Sequence, residues 1–545
     1  MRGRLLVASA IAVVVTAAFL PGPGLGSSTA AVRGAQWIPA GLADAIHARL
    51  GAGAVRSSSA TTAQVGPAHF GFSVALSADG TTALVGAPHV HSSKGAAYIF
   101  HASDAGSWSS SDTPVATLTH PANQLFGFDI ALSADGTTAF VGAPVLGGNT
   151  AGAIYVFHAS AEDAWASSST PAATLTKADA ILIGYVLAVS PDGTTLVAGD
   201  PGYGSFAGGA FVFHVSSEGA WASTSTPTAT LSNAGQSSND ETVGFSVAIS
   251  ADGTTALLSD AFNPNGGGAY VYHVSAEDAW TSSSTPTAIL SDANSTQDDY
   301  LGAGLALSGD GTVAFLGAPA VGTSRVGYVD VFHSSGEAAW ATTSTPTATL
   351  TRAGGLARDD FGFKVTVSSD GTTALVTAPR PGAKPNAPYM SYIFRVSGEE
   401  AWASSSAPTA TLTGSHGRNR DGYDLQRDGA ALSADGATAL GGAPGFRFGT
   451  GAVDVFHVSD ASSWPGNSTP TAVLTNSALL DCVVPRLKGL KVLAAKAALK
   501  ARTCRLGRVS RVVHASGRRG RIFSQSRQPG ARLPAGSKIA VKIKK

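Results

Sequence analysis

Acidic residues recur through the sequence at tight turns, where carboxylate oxygens could bind a cation. A turn of the form Ser-Ala-Asp-Gly-Thr-Thr, or a close variant, returns seven times. Its aspartates are Asp79, Asp135, Asp192, Asp252, Asp310, Asp370 and Asp435. A calcium loop needs several oxygen ligands at alternating positions, whereas each of these turns offers one carboxylate. The pattern therefore predicts hairpin turns with Asp-Gly at the corner, and we expect neither a metal nor another cofactor.

A second set of acids comes just before the start of the later repeats. These acids are Asp240 and Glu241, Asp298 and Asp299, Asp359 and Asp360, and Asp421 and Asp424. They could form a cation-attracting crescent, or they could cap turns through local hydrogen bonds, and the second alternative is favoured. The candidate ligand-binding residues of this region are Asp240, Asp299, Asp360 and Asp421, with Arg380 in a variable loop.

A histidine and a tryptophan also recur once in most repeats. The histidines are His101, His158, His214, His273, His333 and His457, and the tryptophans are Trp108, Trp165, Trp221, Trp280, Trp340, Trp402 and Trp464. One of each per repeat gives no metal cluster, so we predict packing roles. The sequence has no nucleophile elbow, HExxH motif or phosphate-cradling loop. We therefore expect no catalytic residues, although a hydrolase or lyase with a site built from distant loops is an alternative.

These markers belong to seven copies of about sixty residues. In the first copy, short strand-like pieces lie at 70–77, 81–86, 96–101 and 114–119. Four antiparallel strands of this length make one propeller blade. The sequence thus predicts an all-β, seven-bladed β-propeller of four-stranded blades over residues 66–478. A solenoid would need atypical capping repeats, and the first and last copies look like the others.

The loops of the copies differ in how freely they vary. The turn between the first two strands is almost invariant, but the loops between strands two and three and between repeats are diverse, as in 89–94 and 380–388. In a propeller these variable loops lie on one face. Diverse loops on a rigid scaffold are typical of a recognition surface, while drift on an unused face is the alternative.

The repeat resembles the FG-GAP family. The first copy carries Phe70-Gly71 and then Gly86-Ala87-Pro88, and the same pairing returns at Phe126-Gly127, Leu301-Gly302 and Phe361-Gly362. Other copies are degenerate, at Ile183-Gly184, Val243-Gly244 and Gly422-Tyr423. The resemblance implies a seven-bladed propeller of the integrin-α type that binds ligands, often at cell surfaces. A fold alone does not define a function.

The C-terminal region has a different charge. Residues 482–545 contain 18 Lys and Arg and no Asp or Glu, so the remainder holds 18 basic residues against 36 acids. A helix is predicted over 487–501 and strands over 506–512, 520–526 and 539–543. Arg518 and Arg519 are candidate ligand-binding residues of this part. Cys482 and Cys504 are predicted to form a disulfide in an oxidising compartment.

This region resembles a PASTA domain. The residues that carry the resemblance are Val484-Pro485, Leu487, Gly489, Ala495, Leu499, Leu506-Gly507, Val509, Gln525-Ser526, Pro529-Gly530 and Gly536-Ser537. The resemblance implies a small α+β domain over 482–545 in a bacterial, wall-facing protein. PASTA domains are associated with peptidoglycan, and they also occur as spacers.

The N-terminus has the pattern of an export signal. Arg2 and Arg4 precede an apolar run over 5–20, and small residues follow. We predict a signal peptide over 1–30, a partly helical segment over 31–65, and no membrane span after signal removal. The expected location is secreted or extracellular, with association to a bacterial cell wall.

Together these observations predict an exported cell-envelope binding protein rather than an enzyme. The propeller would bind an unidentified glycan or protein, and the basic domain would bind peptidoglycan or an anionic wall polymer. A nucleic-acid partner is not expected, because the basic region lacks interleaved aromatic residues. An adhesion or protein-interaction propeller without wall binding is the alternative.

Overall fold

The computed structural model describes most of the chain from residue 68 onward. The described ranges are 68–121, 125–145, 151–233, 242–320, 326–355, 359–379, 388–417, 429–445, 450–479, 482–500, 502, 504–513, 518–533 and 537–545. The predicted signal peptide and the segment 31–65 lie outside them. None of the helices in these ranges has the length and apolarity that a membrane crossing requires.

The described strands of residues 73–474 form seven antiparallel sheets of four consecutive strands, which we number as blades 1 to 7. Blade 1 contains β1 (Ser73–Leu76), β2 (Thr82–Ala87), β3 (Ala96–His101) and β4 (Ala116–Leu118). Blade 2 contains β5 (Ile130–Leu132), β6 (Thr138–Ala143), β7 (Ala153–His158) and β8 (Ala173–Leu175). Blade 3 contains β9 (Val186–Val189), β10 (Thr195–Asp200), β11 (Gly209–His214) and β12 (Ala229–Leu231). Blade 4 contains β13 (Val247–Ile249), β14 (Thr255–Ser259), β15 (Ala269–His273) and β16 (Ala288–Leu290).

The remaining three blades repeat this order. Blade 5 contains β17 (Gly304–Leu307), β18 (Val313–Ala318), β19 (Tyr328–His333) and β20 (Ala348–Leu350). Blade 6 contains β21 (Val365–Val367), β22 (Thr373–Ala378), β23 (Pro388–Arg395) and β24 (Ala410–Gly417). Blade 7 contains β25 (Ala430–Leu432), β26 (Thr438–Gly442), β27 (Val453–His457) and β29 (Ala472–Leu474), and its short β28 (Asn467–Ser468) pairs with β24 of blade 6.

Short helices occupy the connections. Two single-turn α-helices, α1 (Val90–Ser93) and α2 (Tyr203–Phe206), follow second strands. A 3-10 turn precedes each repeated tryptophan, at Ala105–Ser107, Glu162–Ala164, Glu218–Ala220, Glu277–Ala279, Glu337–Ala339, Glu399–Ala401 and Ala461–Ser463. Two further 3-10 turns are Gln297–Asp299 and Ser477–Leu479.

The seven blades close into a ring. Each inner strand contacts the inner strand of the next blade, and β25 contacts β1. The closing junction has backbone pairings of its own, between Phe70 and Gly451 and between Ser111 and Leu474. Equivalent parallel bridges join the other neighbours, for example Leu118 with Ser168. The all-β propeller fold is thereby confirmed, and the seven sheets fit the predicted count.

The repeated Phe-Gly and Gly-Ala-Pro segments meet where two blades touch. Phe70 is fully buried, and Gly71 has φ +86°, a left-handed value that favours glycine. A Cβ on Gly86 would lie 2.3 Å from the carbonyl oxygen of Gly127 in the next blade. These two glycines therefore let adjacent backbones approach, which explains why the two motifs recur together.

The ring axis is narrow and partly aromatic. Phe72, Phe128, Tyr185 and Phe245 come from successive blades, and neighbouring ring centroids lie 5.2–5.6 Å apart. The cavity at the axis has a volume of about 50 Å³. That space suits a few water molecules and is well below the volume of usual small-molecule sites.

The C-terminal region forms a separate small core. Its elements are β30 (Cys482–Val483), α3 (Val492–Lys500), β31 (Arg505–Val512), β32 (Ile522–Gln525), β33 (Arg532–Leu533) and β34 (Lys538–Lys544). The helix α3 is shorter than predicted, because Gly489 at φ +91° belongs to a turn before it. Leu487, Leu499, Ile522 and Ile539 are buried together against the sheet β31-β34-β32. The predicted α+β class is confirmed here.

Candidate recognition face

The seven Asp-Gly turns are held by their own aspartates. Asp79 accepts hydrogen bonds from the Ser77 hydroxyl (2.6 Å) and from the backbone N–H of Thr81 (3.0 Å). Burial raises the pKa of Asp79, but these hydrogen bonds outweigh it and keep the pKa below its ordinary value. In each of the other repeats, the serine two residues before the aspartate makes the same bond, to Asp135, Asp192, Asp252, Asp310, Asp370 and Asp435. We call the side of the ring that carries these turns the turn face.

The repeated tryptophans and histidines stabilise the turn face. Trp108 Nε1 donates to the carbonyl oxygen of Gly80 at 2.8 Å. The other six tryptophans make the equivalent bond at 2.8–2.9 Å. His101 Nδ1 lies 2.9 Å from the Thr82 hydroxyl on the adjacent strand. Among the described residues, no group of three or more His, Cys, Asp or Glu has a metal-binding arrangement.

The opposite side, which we call the variable face, carries the loops between second and third strands and those between repeats. Of the five candidates predicted here, Asp240, Asp421 and Arg380 lie outside the described residues. Asp299 and Asp360 are fully buried. The carboxylate of Asp299 accepts bonds from the Thr296 N–H (2.8 Å) and hydroxyl (3.0 Å). The burial of Asp299 and its hydrogen bonds to Thr296 favour the turn-capping alternative over an exposed crescent of acids.

An aromatic ring fills one position of the third strand on this side in five blades. The residues are Tyr98, Tyr155, Phe211, Tyr270 and Tyr392. The loop that leaves the preceding blade covers the ring in three of these blades. His120 stacks on Tyr155 with centroids 4.2 Å apart, Lys177 lies 5.8 Å from the Phe211 ring, and Arg352 lies 5.4 Å from the Tyr392 ring.

Blades 5 and 7 have an aspartate in place of the ring, and the two sites differ. In blade 7, the Tyr389 hydroxyl donates to Asp454 at 2.9 Å, and the Ser415 N–H donates at 2.9 Å. The Tyr389 ring, supplied by blade 6, also fills the space beside Gly414. Asp454 is therefore enclosed by groups that replace the missing ring.

In blade 5, Asp330 is fully buried and Thr349 Oγ1 donates to its Oδ1 at 2.8 Å. Its Oδ2 is buried and has no hydrogen-bond partner among the described residues. Burial raises the pKa of Asp330 to about 7; the Thr349 bond opposes this shift, and the nearby Asp292 and Asp299 add to it. Blade 5 thus has a poorly solvated acid where other blades have a ring.

Two open cavities flank this position. One, of about 400 Å³, is lined by Asp292, Asn294, Tyr328, Thr349 and Arg352, among others. The second, of about 460 Å³, is lined by Asn233, Asp260, Asn263, Tyr270 and again Asp292. Both volumes fall in the range of small-molecule sites, and their linings combine apolar surface with amide, hydroxyl and carboxylate groups. Asp292 joins them, and we call the pair the blade 4–5 groove.

The C-terminal domain presents a cationic surface. The predicted residues Arg518 and Arg519 are both exposed. On the sheet, Lys538 and Lys542 of β34 are exposed, and Arg505 lies opposite Lys538 in the pair β31–β34. Because the region from 482 to 545 contains no acid, no carboxylate side chain of this domain offsets these charges.

Comparisons with known proteins agree with this architecture. An FG-GAP repeat model matches residues 65–100, and a PASTA domain model matches residues 483–545. The chain contains an FG-GAP repeat and a PASTA domain. Both are binding modules rather than catalytic domains, and an FG-GAP propeller joined to a PASTA domain fits a surface-associated or wall-associated binding protein.

Similar solved structures include propellers. One is described as "Structure of Dos1 propeller", with 12% identity, a TM-score of 0.42, and coverage of 73% of this chain and 83% of that chain. Another is "Crystal Structure of Mitotic Checkpoint Complex", with 14% identity, a TM-score of 0.42, and coverage of 74% and 98%. No curated protein matches the chain.

The predicted disulfide lies in the PASTA domain. Cys504 is buried with Leu499 and Ile539, just after α3. The backbone of Cys482 pairs with Leu533, but its side chain lies outside the described residues. The link between the two cysteines therefore stays a prediction.

The residues of the blade 4–5 groove are not among those predicted from the sequence. Asp330 has a visible signal, since it interrupts a column that is Tyr or Phe in five other repeats. Asp292 has no such signal in the sequence, because its effect on the pKa of Asp330 depends on how the loop after β16 folds.

Proposed function

We propose that this protein is exported and binds the bacterial cell envelope. In this proposal residues 1–30 are a signal peptide and 31–65 a partly helical segment. The FG-GAP propeller over 66–478 is the recognition scaffold, and the PASTA domain over 482–545 anchors it to peptidoglycan or an anionic wall polymer. The proposed location is extracellular, at or near the wall.

The observation that carries the proposal is the uncompensated positive charge of the PASTA domain. Two adjacent strands, β31 and β34, carry the exposed Arg505, Lys538 and Lys542. Arg518 and Arg519, which precede β32 in the sequence, are also exposed. Like charges held on one small domain repel, and a polyanion relieves that repulsion while releasing its own counterions. Binding of this kind weakens as salt screens the charges.

The propeller contributes selectivity in this proposal. Its blades are fixed by the axis, the turn face and the glycine contacts between blades, and its loops on the variable face differ from repeat to repeat. A rigid ring with diverse loops presents several polar groups at constant spacing, which limits the entropy lost on binding. The blade 4–5 groove is one described part of that face with space for a ligand.

Sedimentation with purified cell-wall sacculi tests the anchoring role. We would compare the whole mature protein with a chain ended after Leu479, on sacculi that retain or lack their anionic polymers. The shortened chain keeps both pairings that close the ring, Phe70 with Gly451 and Ser111 with Leu474, so it should fold. We expect the whole protein to sediment in low salt and the shortened chain to stay largely in solution.

Equal sedimentation of the two chains would contradict the anchoring role, since the wall contact would then belong to the propeller. Loss of binding after removal of the anionic polymers would identify those polymers as the partner. Unchanged binding would identify peptidoglycan itself.

A further inference from the structure

The blade 4–5 groove differs from the equivalent places in other blades in a way that points to a ligand. In three of the five blades with a ring, a polar or cationic loop residue covers it, as His120 covers Tyr155. In blade 5 the ring position is Asp330, and the acid that acts on it from the preceding loop is Asp292. Two acids thus replace a ring and its cover.

The charge of the groove favours a cationic group. Burial raises the pKa of Asp330, and the negative charges of Asp292 and Asp299 raise it further. Burial likewise raises the pKa of Tyr328, with the charges of the same acids adding to the shift. The cation that lines the same cavity, Arg352, is already engaged, because its guanidinium pairs with Asp359 and lies over Tyr392. Among the described residues that line the groove, the acidic Asp292 therefore has no cation beside it that is not already paired. Burial raises the pKa of Asp330 to about 7, so Asp330 adds its charge only near and above neutral pH.

The buried oxygen of Asp330 supplies a second, independent observation. Asp330 and Tyr328 are two residues apart on β19, so their side chains point to the same face of the sheet, and Tyr328 and Thr349 line the cavity. Asp330 itself is not a lining residue, but it accepts a hydrogen bond from Thr349, which is one, and its Oδ2 is buried without a partner among the described residues. A buried acceptor without a donor costs about 1–3 kcal/mol, and a ligand that donates a hydrogen bond removes that penalty.

The remaining lining indicates what kind of molecule carries the cation. Asn294, Thr349 and Thr351 in one cavity and Asn233 and Asn263 in the other offer amide and hydroxyl groups. Such groups pair with the hydroxyl groups of sugars. Because Asp292 lines both cavities, an extended chain of hydroxylated units could occupy both at once.

We propose that the blade 4–5 groove binds an oligosaccharide with free primary amines, one ammonium group lying between Asp292 and Asp330. The inference rests on the proposed role of the propeller as a recognition scaffold. An ammonium group donates three hydrogen bonds, enough for both carboxylates and the Tyr328 hydroxyl. The sugar hydroxyls then pair with the asparagines and threonines of the two cavities.

Calorimetric titration of the whole mature protein tests the proposal with a matched pair of probes. The glucosamine tetramer carries free amines, and the N-acetylglucosamine tetramer has the same backbone with the amines acetylated. We expect saturable binding of the first, at least about tenfold tighter than of the second, because acetylation removes the charge that the two acids recognise. A lysine tetrapeptide, which has amines without sugar hydroxyls, should bind at least about tenfold more weakly than the glucosamine tetramer.

Variants locate the site. Asp330→Tyr restores the ring found in blades 1, 2, 4 and 6, so it should fold and abolish binding by filling the space. Asp330→Asn and Asp292→Asn should each weaken binding by about tenfold or more. Asp298→Asn removes one exposed charge near the groove and should leave the affinity unchanged, which controls for nonspecific attraction to an acidic propeller.

Equal affinity for the amine and acetylated tetramers would overturn the proposal, as would tighter binding of the lysine peptide. Full affinity in Asp330→Tyr, or equal losses in Asp298→Asn and Asp330→Asn, would also overturn it. These outcomes are separate from the wall-anchoring proposal, since sedimentation through the PASTA domain should be the same in wild type and Asp330→Tyr.

Discussion

The hydroxyl of Thr254 lies 2.8 Å from the carboxylate of Glu337, which belongs to the next blade. The same hydroxyl lies 2.9 Å from Asp252 of its own turn. A hydroxyl has one hydrogen to donate, so it cannot satisfy both carboxylates at once. Equivalent contacts join Thr81 to Glu162 and Thr137 to Glu218, which makes shared hydroxyls a repeated feature of the blade junctions.

This arrangement predicts that Glu337→Gln stabilises the ring at neutral and alkaline pH. Burial and the charge of Asp252 raise the pKa of Glu337, against its hydrogen bonds with Thr254 and Ser250. The stabilisation from a raised folded-state pKa is complete below the unfolded value and is lost as pH rises through the folded value. Because Glu337 is partly solvated, the gain should be less than about 1 kcal/mol.

Urea unfolding of the wild type and Glu337→Gln at pH 4 and pH 8 measures this effect. Asp278 is an exposed acid in the equivalent turn of blade 4, and the control Asp278→Asn should change little at either pH. A variant that is less stable than wild type at pH 8 would contradict the expectation.

A second prediction concerns the ionisation of Asp330. Burial raises its folded-state pKa to about 7; the charges of Asp292 and Asp299 add to this shift, and the hydrogen bond from Thr349 opposes it. The wild type should lose unfolding free energy as pH rises from about 4 toward 7. Asp330→Asn keeps a group for Thr349 and cannot ionise, so it should lack this component. The difference between the two slopes should approach about 1.4 kcal/mol per pH unit, the value for one proton.

Chemical unfolding followed by tryptophan fluorescence at several pH values measures the two slopes. Parallel curves for the two proteins would show that Asp330 is not held neutral in the fold, and would contradict the account of its burial.

A third prediction concerns the PASTA domain. If Cys482 and Cys504 are joined, the bridge closes a loop that includes α3, and its loss should destabilise this domain by about 2–4 kcal/mol. Cys482→Ser is the better variant, because Cys504 is buried and its replacement also disturbs packing. Melting of the whole protein with and without reductant measures the loss, and non-reduced peptide mapping detects the linked pair. Two unlinked cysteine peptides would show the prediction to be wrong.

A fourth prediction is the salt dependence of wall binding. Replacing Arg518 and Arg519 with Gln removes two exposed charges, so binding to sacculi should weaken and its dependence on salt should become less steep. Replacing Lys94 of the propeller with Gln removes one exposed charge outside the PASTA domain and should leave binding unchanged. Binding that is insensitive to salt in the wild type would argue against an electrostatic anchor.

The fold was readable from the sequence because its determinants are local and repeated. Asp79 and Trp108 recur in all seven copies, and Gly71 recurs eight residues before the turn aspartate in the first six. Each acts within its own blade or at an equivalent junction. The chemistry of the variable face was not readable in the same way. Asp299 is an acid in a loop by sequence, yet it is fully buried and its carboxylate accepts hydrogen bonds from Thr296.

Asp330 shows the same limit more clearly. Its replacement of a ring is visible in an alignment of the repeats, but so is that of Asp454. Only the packing separates them: the Tyr389 hydroxyl from blade 6 donates to Asp454, whereas Asp330 Oδ2 has no partner among the described residues. Contacts between non-equivalent residues decide which of two identical substitutions leaves space for a ligand.

The most direct test of the account is the fraction of the isolated domain 482–545 that sediments with intact sacculi at physiological salt. The domain has its own buried core, formed by Leu487, Leu499, Ile522 and Ile539, so it can be studied alone. We predict that most of it sediments and that high salt releases it. A domain that remains in solution with intact sacculi, even at low salt, would contradict wall anchoring.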